Sequence, residues 1–231
     1  MFTLDATAEV VARQLLGARV RHGDVVVELT EVEAYAGSGD PAAHAVGGLR
    51  PRTRDLFGPP GTLYCYLSHG VHICGNVTCT GDGSAVLLRA GRVVAGLEVA
   101  RSRRPGVPDA SLARGPGNLG RALGWSLADS GRSFGEPGLE LLPATDPVAV
   151  IVGPRVGVSV GYQRGWAEGA GLEEALANVK ALNALVKAHG EKKGRALFDQ
   201  IYWLEDLRAP TTAPRAARVA ARGAARSARA S

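Results

Sequence analysis

Glu31 and Glu33 are followed at the same interval by Tyr35, so in an extended chain all three share one face, because strand side chains repeat every second residue. A carboxylate held at a strand end beside a mobile loop can act as a general base, fixed in place while substrate enters. A solvated sheet face is the ordinary alternative, since antiparallel sheets often leave one side wet. The next segment, residues 36–61, has six glycines and four prolines in 26 positions, too long for an idle connection, and it carries His44, Arg50, Arg52 and Arg54. Beyond it, Thr62 to Ser68 reads as a strand bearing Tyr64 and Tyr66 into a two-residue hairpin turn at His69 and Gly70. Glycine accepts positive φ freely, and histidine tolerates it better than most residues. A ring on such a tip can enter a DNA base stack and replace an extruded nucleotide while neighbouring rings stack on the extruded base. Equally, the tyrosines can cover a core edge and His69 can be an incidental turn residue.

Other chemistries are poorer fits. His69, His72, Cys65, Cys74 and Cys79 lack the paired spacing of a structural zinc site, and with the turn at His69 and Gly70 the two cysteines Cys65 and Cys74 would face each other across the hairpin. No metal is expected. Gly115-Pro-Gly-Asn-Leu-Gly120 has the glycine pattern of a dinucleotide fingerprint without a preceding strand. It could present helix N–H groups to one phosphate, or simply start a helix. The four lysines all lie at or beyond Lys180, which excludes a Walker phosphate loop, and any lysine Schiff base before that point.

The elements that must position these residues read as α+β. Asp5 caps a helix carrying Val10, Val11, Leu15 and Leu16 that stops at Gly17. A long strand spans Val25 to Tyr35, the return arm of the hairpin Val71 to Thr78, and a further strand Ala85 to Ala90, before a helix near Ala95 to Arg104. Short strands follow around Leu139 to Leu142, Val148 to Val152 and Val156 to Val160. After Gly171, Leu172, Leu176, Val179, Leu182 and Val186 repeat helically. Residues 1–160 are read as one part, 161–207 as a helical segment, and 208–231 as a disordered arginine- and alanine-rich tail.

The 231 residues carry 27 basic and 22 acidic side chains, but six arginines and no acids lie beyond Asp206, so the basicity is mostly in the tail. That tail can add nonspecific attraction to nucleic acid. No apolar run approaches the roughly 20 residues that cross a bilayer, and the N-terminus lacks a signal-peptide layout. Three cysteines, an odd and sparse set, fit a reducing compartment, so the expected location is cytoplasmic, with no membrane partner.

Together these stretches resemble the alkyladenine, or 3-methylpurine, DNA glycosylases. The resemblance rests on Glu31-Val-Glu-Ala-Tyr-Ala-Gly37, Asp40-Pro-Ala-Ala-His44, Arg50-Pro-Arg-Thr-Arg54 and Pro60-Gly-Thr-Leu-Tyr-Cys-Tyr66. It continues through His69-Gly70, Asn76, Gly81-Asp-Gly-Ser-Ala-Val-Leu-Leu-Arg89, Gly115-Pro-Gly117 and Arg155-Val-Gly157, spanning roughly residues 10–160. It implies a single mixed domain around a curved antiparallel sheet, needing no cofactor, that acts as a monomer on duplex DNA containing damaged purines. In that family's pattern Glu33 is the general base, and Arg89 and the backbone at Val86 help hold its water. Tyr35, His44 and Tyr66 wall the base pocket, Asn76 discourages unmodified guanine, and His69 is the wedge. Arg50, Arg52 and Arg54 belong to the DNA-facing loop. The family's closing aromatic-arginine strand is not found after Gly157; helical sequence is read there instead.

The expected function is monofunctional base-excision repair of alkylated purines, with Glu33 activating water. The alternative is a protein that binds damaged or distorted DNA without cutting it.

Overall fold

The computed structural model describes residues 2–146, 148, 150–153, 155 and 166–168. Helix α1 (Ala8–Leu15) buries Ala8, Val11, Ala12 and Leu15, a stripe at three- and four-residue spacing. Val10 falls off that stripe and is exposed. The N-cap is Thr7 rather than Asp5, whose carboxylate instead accepts a hydrogen bond from the Thr80 hydroxyl. Strand β1 (Arg19–His22), which the sequence reading does not contain, turns through Gly23 into the long strand β2 (Val25–Tyr35).

After the loop come β3 (Leu63–Ser68) and β4 (His72–Thr78), then β5 (Ala85–Ala95), helices α2 (Leu97–Arg103) and α3 (Pro116–Leu123), and strand β6 (Leu139–Leu142). Strands β7 (Ile151–Gly153) and β8 (Trp166–Glu168) follow. The antiparallel sheet runs β3-β4-β5-β2-β1-β6, with β7 joined through β8. β2 is its axis. β5 lies along one edge; the other is shared by β1 at the start of β2 and by β8 at Glu31–Glu33. The fold is thus α+β around a curled antiparallel sheet. β8 lies past residue 160, and the first of two compact units runs Met1–Gly169. The strand expected at 156–160, the helices after Gly171 and the tail at 208–231 lie outside the described residues.

Register shifts between β2 and β5 at Leu29/Glu31 and Glu31/Val32 decide which side chains meet the helices. Before the shift Val25, Val27 and Leu29 enter the main core; after it Val32 and Ala34 do. A bulge adds a residue to one strand and so exchanges its two faces. Glu31, Glu33 and Tyr35 are thereby turned to the sheet face opposite the helices. On the helix face, Leu63, Cys65, Val77, Val86 and Leu88 pack with α1, α3 and Trp125.

The hairpin between β3 and β4 corrects the expected turn. Ser68 pairs with His72, so three residues, His69–Val71, form the loop instead of two. Every pair shifts by one: Cys65 stands opposite Gly75 and Tyr66 opposite Cys74, which puts Cys65 and Cys74 on opposite faces. Burial pushes the Cys65 and Cys79 thiols up to about 12, leaving them unreactive.

The glycine pattern at residues 115–120 also receives a packing explanation. Gly117 and Gly120 lie within α3 where it crosses β4, and a Cβ built at Gly120 would strike the Ile73 carbonyl oxygen. Gly120→Ala should therefore destabilise the protein by about 1–3 kcal/mol in urea denaturation, although alanine is the better helix former. An unchanged or raised midpoint would contradict this.

Candidate active site

The sheet face turned from the helices carries alternate residues of four strands. Tyr35 ends β2, Tyr64 and Tyr66 project from β3, Asn76 from β4, and Ala85 from the start of β5. The 36–61 loop closes over them. It forms only short 3-10 turns, at Gly37–Gly39, His44–Gly47 and Pro51–Phe57, in keeping with its many backbone breakers. Between loop and sheet lies a cavity of about 370 Å³, its open mouth included, with His44, Ala43 and Leu56 on the loop side.

Its walls are aromatic. Tyr64 and Tyr66 are stacked with ring centroids 5.9 Å apart, and His44 meets Tyr66 edge-on at 4.5 Å. His44 Nδ1 lies 3.2 Å from the Tyr64 hydroxyl. Partial desolvation in the pocket, and then the nearby Arg52 charge, push the His44 imidazole below its ordinary range. Asn76 is buried and donates through Nδ2 to the Tyr64 carbonyl at 3.2 Å. The four pocket residues expected from sequence, Tyr35, His44, Tyr66 and Asn76, are thus brought together. Tyr64, read from sequence as a neighbouring ring but not assigned to the pocket walls, lines the pocket too, on the strand face it shares with Tyr66.

Tyr35 joins this cavity to the acid. Its ring lines the pocket, and its hydroxyl donates to Glu33 Oε2 at 2.8 Å. Burial, reinforced by the Glu33 charge, holds the phenol far above its ordinary range, so it remains a proton donor. Glu33 is fully buried, and Arg89 Nη1 lies 3.1 Å from its Oε1. Arg89 Nε lies 2.5 Å from Glu31 Oε1. Although burial pushes the guanidinium down, Glu33 and then Glu31 hold it well above its ordinary range. The arrangement is a carboxylate oriented by a phenol and a guanidinium, adjoining an aromatic pocket.

A second buried ion pair fixes the loop. Arg155 grips Asp40 with two bonds, Nη1 to Oδ2 at 2.5 Å and Nη2 to Oδ1 at 2.8 Å, both side chains fully buried. Arg155 also donates to the Ala34 carbonyl, and its guanidinium lies 4.5 Å over the Tyr35 ring. Asp40 accepts the Ala36 and Ala42 N–H groups. Its carboxyl is held below the usual range because Arg155 and those two N–H groups outweigh the desolvation that would raise it. Neither residue's positioning role was read from sequence.

A wider groove of about 1160 Å³ adjoins the pocket, shares His44, Tyr64 and Tyr66 with it, and extends past Arg52 and Leu127 to His69. His69 sits exposed at the hairpin tip with φ at 51°, and Val71 beside it is also exposed. Arg50, Arg52 and Arg54 are exposed on the loop; Arg52 reaches the groove, whereas Arg50 donates to the Gly47 carbonyl and Arg54 lies near Asp55. Val86 is not brought to the pocket: its side chain is in the helix-facing core and its backbone is flanked by Ala34 of β2 and Val77 of β4. Among the described residues no three His, Cys, Asp or Glu side chains converge as a metal site requires.

The family model described as methylpurine-DNA glycosylase matches residues 2–167. A relative from Cutibacterium acnes is 48% identical over 176 residues, covering 72% of this chain and 92% of its own. One from Nocardia farcinica is 51% identical over 167 residues, covering 67% of this chain and 79% of its own. One from Mycolicibacterium paratuberculosis is 48% identical over 164 residues, at 67% and 80% coverage. All three are provisionally named 3-methyladenine DNA glycosylase.

Proposed function

The chain belongs to the methylpurine-DNA glycosylase family, and from that premise we propose that it excises alkylated purines from duplex DNA after they swing out of the helix into the ring-lined pocket. It is a DNA glycosylase, a hydrolase of N-glycosyl bonds that acts in DNA repair. The observation that carries the finer reading is Tyr35, which walls the pocket and holds the Glu33 carboxylate through one hydroxyl.

Glu33 takes a proton from a water as the water oxygen bonds to C1′ of the extruded nucleotide; the C1′–N bond breaks and its electron pair leaves with the purine. Arg89 keeps Glu33 aimed. The carboxylate is fully buried with Tyr35 bonded to Oε2, and each carboxylate oxygen has a second lone pair with which to accept the water. An N-alkylated purine carrying positive charge leaves as a neutral base without a general acid. Stacking and cation–π attraction to Tyr35, Tyr66 and His44 favour such a base, and Asn76 meets its edge. No lysine precedes Lys180 to form a Schiff base, so the product is an intact abasic site.

His69 enters the space the nucleotide leaves, with Arg50, Arg52 and Arg54 along the phosphates. His69→Gly should keep or raise the melting temperature, since glycine accepts this left-handed backbone freely. It should weaken binding to damaged duplex by roughly 1–3 kcal/mol, the range of one lost ring stack. Equal lifetimes of the two proteins on damaged duplex would remove the wedge from the mechanism.

Incubating the protein with methylated duplex DNA and identifying the freed purine by chromatography tests the whole reading. Release of 3-methyladenine is the expected result. Tight binding with no purine released would make the protein a binder of damaged DNA instead.

A further inference from the structure

We propose that Glu31 is a positioning residue of the hydrolytic site, holding Arg89 through Nε and offsetting its charge so that Glu33 can accept a proton from water. This rests on Glu33 being the general base. A guanidinium facing a single buried carboxylate stabilises the ionised form and opposes its protonation. Here one guanidinium serves two: Glu31 Oε1 at Nε, 2.5 Å away, and Glu33 Oε1 at Nη1, 3.1 Å away. Glu31 is itself buried, at 4% exposure, and the Arg89 side chain is only 12% exposed, so water screens these charges little.

Glu31 thereby does two things. It fixes the plane of the guanidinium, which determines where Nη1 meets Glu33. It also adds a like charge near Glu33, which favours uptake of a proton there. In Glu31→Gln the amide oxygen can still accept from Arg89 Nε, so the other groups facing Glu33 keep their charges and do not reverse that sign. Among the described residues they include Tyr35 on β2, Arg89 on β5, Tyr66 on β3, and Arg155. Cys74 on β4 stands behind Tyr66, and β8 places Glu168 at the register position of Glu31.

The test is single-turnover purine release from methylated duplex DNA across pH for wild type, Glu31→Gln, Glu31→Asp and Glu33→Gln, with duplex affinity measured in parallel. For Glu31→Gln the acid limb of the profile should move to lower pH, because a like charge is removed. Its plateau should fall several-fold with duplex affinity unchanged. Glu31→Asp should keep the limb at its wild-type pH with an intermediate plateau, because the charge remains and only its reach shortens.

A Glu31→Gln limb and plateau like wild type, or a limb moved upward, would overturn the proposal, as would an equal limb shift in Glu31→Asp. If Glu31→Gln fails to fold, Glu31→Asp alone decides: a lowered plateau with an unmoved limb supports the proposal, and a wild-type plateau defeats it. Wild-type turnover by Glu33→Gln would instead defeat the underlying assignment of the base.

Discussion

Replacing Glu33 by glutamine is expected to slow purine release from methylated duplex DNA by about 10²–10⁴-fold, the usual contribution of a positioned general base, while duplex binding persists. The substitution is close to isosteric. The amide oxygen can still accept the Tyr35 hydroxyl, now 2.8 Å from Glu33 Oε2, and Arg89 keeps its bond to Glu31. The walls of the pocket belong to other residues, so a flipped purine still finds Tyr35, His44 and Tyr66. What disappears is the basic lone pair: a neutral amide cannot take a proton from water at neutral pH. Residual activity should reflect stacking alone, which favours departure of a base already weakened by alkylation. Single-turnover release, with thermal melting to establish folding, is the measurement. A folded variant within a few-fold of wild type would move the base to another residue.

The second large effect is expected on stability. Asp40→Asn should cost about 3–5 kcal/mol in urea denaturation at neutral pH, because it leaves the Arg155 charge buried without its carboxylate. Against a usual total of about 5–15 kcal/mol this is a large fraction. The loss should couple to function, since the same pair ties Ala36 and Ala42 to Asp40 and sets Arg155 over Tyr35.

The pH dependence follows from the lowered Asp40 carboxyl. Its contribution is fully present above the ordinary carboxylate range and is lost as pH falls through the depressed folded value. The gap between wild type and Asp40→Asn should therefore shrink toward acid. Adding Arg155→Met to Asp40→Asn should recover part of the stability, because the charge left without its carboxylate is then gone. A gap that stays constant down to strongly acidic pH, or a double variant no more stable than Asp40→Asn, would show that the pair does not hold the loop.

Much of this site was legible as local chemistry. The alternation from Val25 to Tyr35 set the limits of β2, and the glycines and prolines of residues 36–61 excluded regular helix or strand there. His69 and Gly70 marked the turn because positive φ leaves few residue types, and both adopt it. These features depend on neighbours within a few positions, so a sequence displays them directly.

What reads wrongly or not at all depends on partners far along the chain. The third loop residue, Val71, shifted the whole hairpin by one and separated Cys65 from Cys74, which a turn motif alone does not specify. The glycines of α3 matched a phosphate-binding pattern but answer to the Ile73 carbonyl on another element. The pairing of Asp40 with Arg155, 115 positions apart, has no local signature.

Sequence by itself determined the kinds of group present: two carboxylates and an aromatic ring on one strand, a basic breaker-rich loop, and a ring at a hairpin tip. Only the tertiary structure decided which way they face. Strict alternation would have put Glu31, Glu33 and Tyr35 on the side of Val25, Val27 and Leu29, inside the helix core. The register shift against β5 turned them to the other side, where Arg89 compensates the buried charge. Such a shift is settled by the packing of two strands against each other, and neither strand's sequence contains it.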